Sequence, residues 1–290
     1  MNNFSNYSDY LHQHRPAALW HYTSLDVLNN VVNASGNLSF WVSEISYLND
    51  HQEFKHGISI IKEVYEKFKS ENYYLSKSKV FLDSIEGSLR FLEGLETNLS
   101  FSESAGVFVL SFTEKQDLLS QWRAYTPNCH GVSIGISPNF WPNDRHNSLL
   151  FPVIYNDEFK YEYAISLFKD AIDKCLEFTQ ENTIHNNNVI ATFISQVKAA
   201  CTLMKDSGFS EEAEWRYVIY GEKHQNISLR SSQYYLIPYI ELSIPNHFLS
   251  EIVIGPNPHS ELCRKSIDLL LSKSNVGQSI TRISSIPYRG

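Results

Sequence analysis

The sequence predicts an α+β fold, a mixed, twisted central sheet with helices packed around it. Runs of β-prone residues recur along the whole chain, from 38–42 through 107–112 and 131–136 to 279–283. The intervening segments carry apolar residues at helical spacing. Two consecutive long helical patterns, at about 158–206, interrupt this strand-rich order and read as a helical insertion within one domain spanning 1–290. Of the 290 residues, 42% are apolar and 13% aromatic, ample for a large core.

Composition narrows the function classes. Lys and Arg number 24 against 32 Asp and Glu, a formal charge of −8. A protein that grips nucleic acid through phosphates over its whole surface is therefore not expected, although a local basic groove remains compatible. Cys129, Cys175, Cys201 and Cys263 are scattered without a C-x-x-C pair, and read as reduced thiols of a cytoplasmic protein. The N-terminal residues are polar, with no apolar run of signal or membrane length. His12 and His14 lack a nearby third ligand for a metal. Neither G-x-x-x-x-G-K-[ST] nor a strand-borne G-x-G-x-x-G is present.

In chain order, Leu19 and Trp20 read as the end of a short buried strand. Leu25, Leu28, Val31 and Val32 predict a helix behind it, capped by Thr23 or Ser24. His21, Tyr22, Thr23 and Ser24 are then expected at a strand-to-helix corner, where a helix N-terminus suits an anion. A purely structural corner fits the same pattern. A turn at Ser35-Gly36-Asn37 leads into a strand at 38–42. Asp50 and Glu53 have capping-box spacing ahead of a helix marked by Phe54, Ile58, Ile61, Val64, Tyr65 and Phe68. Asn49 and Asp50 read as caps of that helix, or as caps that also face a ligand.

A further amphipathic helix is expected over 77–95, and the continuous apolar run 107–112 reads as a central strand. A short helix at 117–125 carries Trp122, Arg123 and Tyr125, which can stack on a flat ring or hold a phosphate, or serve packing alone. The alternation and small residues of 131–136 indicate a strand with something packed close to its backbone. Strands are also expected at 150–155, 215–220, 235–242, 251–256 and 279–283. A helix starts near His259, and Asn186-Asn187-Asn188 reads as a loop between the two long helices. Period 2 puts Glu214, Arg216, Val218 and Tyr220 on one face of the 215–220 strand. A carboxylate there can accept a sugar hydroxyl or stabilise a cation. Equally, Glu214 and Arg216 can form a surface pair at a sheet edge, worth little.

Several blocks, in order, resemble one bacterial family. They are His21-Tyr22-Thr23-Ser24, Ser46-Tyr47-Leu48-Asn49-Asp50 with Glu53, and Ser111-Phe112 followed by Trp122 and Tyr125. Then come 131–135, Glu211-Glu212-Ala213-Glu214-Trp215-Arg216, 251–256 and Pro287-Tyr288-Arg289. They are similar to domain-of-unknown-function family twenty-nine seventy-one, met in bacterial defence and toxin-like contexts, which is distantly similar to ADP-ribosyltransferases. The resemblance implies an ADP-ribosyltransferase-like core and NAD as substrate. It matches His21 and Thr23 to the His-x-Thr pattern that holds the NAD ribose, Glu214 to the catalytic glutamate, and Glu212 to the first position of a Glu-x-Glu pair. The aromatic that would stack on nicotinamide stays open among Tyr22, Tyr47, Trp122 and Tyr125. Arg123 or Arg216 would pair with the pyrophosphate.

Breaking the nicotinamide–ribose bond builds an oxocarbenium-like cation, which a fixed carboxylate stabilises. The expected activity is that of an NAD-consuming ADP-ribosyltransferase or NAD glycohydrolase, an antiphage or toxin effector. Its acceptor is left open among water, protein, DNA and RNA, and a neutralising or regulatory protein partner is compatible. The alternatives are a non-catalytic nucleotide sensor or partner-binding subunit, and a metal-dependent nuclease built on His21, Asp50 and Glu214. The helical pair is expected to close over the cleft.

Overall fold

A computed structural model describes residues 15–32, 36–47, 51–70, 106–126, 130–141, 148–176, 183–220, 226–274, 276 and 280–287. The first half contains β1 (Leu19–Thr23), α1 (Leu25–Val31), β2 (Asn37–Glu44), α2 (His51–Ser70), β3 (Val107–Thr113), α3 (Leu119–Tyr125), β4 (Val132–Ile136) and β5 (Ser148–Pro152). The second contains α4 (Asp157–Leu176), α5 (Thr183–Cys201), β6 (Glu214–Tyr220), β7 (Ser228–Ser231), β8 (Leu236–Pro245), β9 (Leu249–Ile254), α6 (Ser260–Lys273) and β10 (Ile280–Ile283). The strands form one sheet in the order β10-β9-β4-β1-β3-β2-β8-β7, with β6 paired to both β3 and β5. The ladders are antiparallel except β9–β10. The fold is therefore α+β with a mixed, largely antiparallel sheet.

The apolar run of β3 lies at the centre, as its composition predicts. Its residues alternate between two cores. Val107 and Val109, with Val218 of β6, face a layer built by α2, α4 and α5 through Ile61, Phe168, Ile172, Phe193 and Val197. Phe108, Leu110 and Phe112, with Trp215, Tyr217 and Ile219, face a second core completed by Leu28 and Val31 of α1 and Ile267 and Leu271 of α6.

Three expectations are revised and one strand is added. β1 continues through Thr23, so His21, Tyr22 and Thr23 are strand residues and only Ser24 stands at the corner. There its Oγ caps α1 by accepting the Val27 N–H at 3.2 Å. Asn186 to Asn188 lie within α5, not in a loop. Short β7, with only four residues, carries no alternation long enough to announce it. The helical pair is no detached cap: α4 and α5 pack with α2 against the sheet, burying Phe168, Ile172 and Val197 completely. The expected 77–95 helix lies outside the described residues.

Close backbone approaches explain two glycines. A Cβ on Gly135 would lie 2.7 Å from the Trp20 ring, which is what the small residues of that strand anticipated. A Cβ on Gly57 would lie 2.7 Å from the Cα of Cys201, where α2 crosses the end of α5. Backbone cannot swing aside as a side chain can. Gly57→Val is expected to lower stability by about 2 kcal/mol or more, read as a drop in the urea midpoint; an unchanged midpoint would refute this account of the α2–α5 contact.

Candidate functional site

The site begins with a gap in hydrogen bonding. One edge of β3 pairs with β6 along its full length, from Val107↔Tyr220 to Thr113↔Glu214. The other edge is shared: β1 meets it at Thr113 and β2 at Val109 and Phe108. Between these two contacts the sheet opens. The Ser111 carbonyl is taken there by a side chain, because His21 Nδ1 lies 2.9 Å from it. A carbonyl only accepts, so Nδ1 carries the proton and Nε2 keeps its lone pair. Burial holds the imidazole pKa below its ordinary value, partly offset by this bond, and the ring is neutral near pH 7. Phe40 and Phe112 pack edge-on around it, at centroid distances of 5.6 and 6.0 Å.

A cavity of about 410 Å³ occupies the opening, within the range of small-molecule sites. His21 and Thr23 of β1, Phe40, Trp41 and Ser43 of β2, and Ser111 and Thr113 of β3 line it, with Glu212, Glu214, Tyr125 and Arg230. The histidine and the glutamates singled out from sequence, nearly two hundred positions apart, thus wall one space.

Glu214 is not part of an exposed edge pair. β6 is an interior strand, and Glu214 and Arg216 are 5% and 1% exposed. The Glu214 carboxylate accepts from Arg216 Nε at 2.7 Å, Arg216 Nη2 at 3.1 Å and Lys205 Nζ at 3.0 Å, and from the Ser111 hydroxyl. Glu53 joins through Arg216 (2.7 Å) and Lys205 (3.1 Å), and Glu212 through Lys205 (2.8 Å). Arg216 Nη1 also donates to the Thr202 carbonyl. Burial pushes the Glu214 pKa up, but Arg216 and then Lys205 outweigh it, and the group ends at about 2. Three carboxylates face two cations, so this wall carries one excess negative charge. Glu212 and Glu214 flank Ala213, which adopts the left-handed conformation at φ 43° as the helical turn of 207–212 gives way to β6. That conformation costs an alanine about 1 kcal/mol and turns both glutamates toward Lys205.

The remaining predicted residues separate into two groups. Tyr125, 46% exposed, lines the cavity with its ring partly open to solvent. Tyr22 lines it too, but its hydroxyl donates to the Lys115 carbonyl and accepts the Leu118 N–H, and burial pushes its pKa to about 12. Trp122 is fully buried against Tyr22, with its indole N–H on Asp117, so it is core and not a stacking platform. Arg123 is exposed and Arg216 is locked among carboxylates; neither lines the cavity, nor do Ser24 and Tyr47. Tyr47 packs on Tyr235 instead. Glu53 pairs with Arg216 and Lys205. Asn49 and Asp50 lie outside the described residues. No described residue of the helical pair lines the cavity.

Sequence reading missed Lys205, Arg230 and Trp41. Arg230 of β7 bonds the Ser43 hydroxyl at 3.2 Å, and its guanidinium lies 5.7 Å from the Trp41 ring centroid. Among the described residues, no group of three or more His, Cys, Asp or Glu could hold a metal ion, and no helix is long and apolar enough to cross a membrane.

The fold and this cavity define an α+β protein with a ligand-sized, charge-polarised pocket at a split in its sheet. Residues 121–217 match the model of the family described as "Protein of unknown function (DUF2971)", the family that the ordered sequence blocks resemble. That segment runs from α3 through β6 and includes Glu212, Glu214 and Arg216. No curated protein and no solved structure matches the chain.

The Glu214 pKa carries a sign for stability. Its folded value lies below the ordinary 4.5, so its contribution is complete above pH 4.5 and is lost as pH falls toward about 2. Glu214→Gln is expected to flatten this part of the acid limb. Urea midpoints of both proteins between about pH 5 and pH 3 check it; parallel curves would contradict the assignment.

Proposed function

We propose that the cavity binds NAD and that the protein breaks the nicotinamide–ribose bond, as an NAD glycohydrolase or ADP-ribosyltransferase. The observation that carries this reading is the convergence of His21, Glu212 and Glu214 on one 410 Å³ cavity. The excess negative charge of the glutamate wall suits the positively charged nicotinamide riboside and the cation that develops from it. Glu214 already accepts from Arg216, Lys205 and Ser111, so it acts through fixed charge. Glu212 is half-buried and is the carboxylate better placed to accept a ribose hydroxyl. His21 Nε2, with its lone pair, accepts a second hydroxyl. Tyr125 supplies the stacking face.

In the step itself the C1′–N bond breaks and its electron pair leaves with the nicotinamide nitrogen, quenching the ring charge. The acceptor oxygen bonds to C1′, and its proton passes to Glu212 or to solvent. With water as acceptor the products are ADP-ribose, nicotinamide and a proton.

The saturation of Glu214 favours a second reading, a nucleotide-binding subunit without turnover. The metal-dependent nuclease gains nothing comparable, because Lys205 and Arg216 already hold the carboxylate a metal would need.

Incubation of the purified protein with NAD, with water, DNA, RNA or cell extract as acceptor, is expected to release nicotinamide. Glu212→Gln is expected to lower the rate about a hundredfold, or roughly 3 kcal/mol, without moving the thermal midpoint much. Tight ADP-ribose binding with no nicotinamide release under any acceptor would install the second reading in place of the first.

A further inference from the structure

We infer that Arg230, with Trp41 and Ser43, forms an anion subsite that takes the diphosphate of the nucleotide, a role that sequence reading had given to Arg123 or Arg216. The inference rests on the proposed nucleotide ligand and deepens it. Arg230 sits on β7, opposite Ile237, and so shares a sheet face with Tyr239, which in turn stands opposite Ser43 of β2. From there its side chain reaches back over β8 to Ser43 and Trp41. The guanidinium therefore lies above β2, about two strand spacings or roughly 10 Å from β6, which carries Glu214.

Three features mark this arginine as waiting for a partner. Its Nε is buried without a hydrogen-bond acceptor. Among the described residues no carboxylate pairs with it, whereas Arg216 holds two. The acid on β8 beside Trp41 in register, Glu241, is exposed and accepts from Ser39. A half-buried guanidinium with a free donor is costly unless an anion completes it, and its fork matches phosphate oxygens two at a time. The Trp41 face beneath holds the guanidinium plane in place. The cavity is thus negative at the Glu212–Glu214 wall and positive at Arg230. A ligand with a cationic ring at one end and a diphosphate further along fits that order; an anion at the glutamate wall would be repelled.

Calorimetric titration of the full chain with ADP-ribose, inorganic pyrophosphate and nicotinamide tests the assignment. The wild type is expected to bind the first two, and Arg230→Gln to weaken both about 10- to 100-fold, leaving nicotinamide binding unchanged. Arg230→Lys, which keeps the charge and loses the fork, should fall between them. Matching thermal midpoints establish that the variants fold. Equal ADP-ribose affinity in wild type and Arg230→Gln overturns the subsite, as does failure of the wild type to bind either phosphate compound. The two proposals separate cleanly. Arg230-dependent binding without NAD cleavage keeps the subsite and removes the catalytic reading. NAD cleavage with an unchanged KM in Arg230→Gln does the reverse.

Discussion

The site depends on the sharing of one strand edge between two partners that do not meet. β3 is paired continuously on the β6 side, but β1 and β2 each reach only one end of its other edge. A sheet that opens in this way leaves backbone groups without a ladder partner, and buried groups of that kind have to be satisfied. His21 satisfies the Ser111 carbonyl from the side. The same bond that closes the hydrogen-bond account also sets the imidazole tautomer, so a structural need and a chemical capability arise from one contact.

The second constraint is the ion-pair network on the neighbouring strand. Glu53 of α2 and the Glu212–Glu214 pair at the start of β6 come from two distant places in the chain and are held by Lys205 and Arg216. Buried charges of this kind contribute little net stability, because desolvation offsets attraction. What the network does is hold position and sign. It keeps an ionised carboxylate wall with a net negative charge in a partly dry space, where electrostatic effects on a ligand are largest. Arg230, anchored on Trp41 at the other end, gives the cavity its polarity.

Much of the architecture was legible in advance. Continuous apolar runs such as 107–112 and long amphipathic patterns such as that from Phe54 to Phe68 declare themselves through periodicity, since burial on two faces or on one stripe demands it. His21 and Glu214 drew notice as polar residues in β-prone surroundings and Glu212 through the family resemblance, and all three line one cavity. Trp122 takes the packing role, one of the two left open for it, and Arg216 is held by carboxylates, because sequence shows a residue's chemistry but not whether another group has already claimed it. Lys205 carries no local signal at all. Arg230 belongs to a four-residue strand whose pattern is too short to read.

From sequence alone, then, came the α+β class, the order of the longer elements and the list of chemistry-bearing side chains, because periodicity and residue type are local properties. Tertiary structure decided which of those side chains share a cavity, which are saturated by partners, and where the sheet divides. Those outcomes depend on contacts between residues far apart in the chain, such as Ser111 with His21 and Glu53 with Arg216, and no local pattern encodes them.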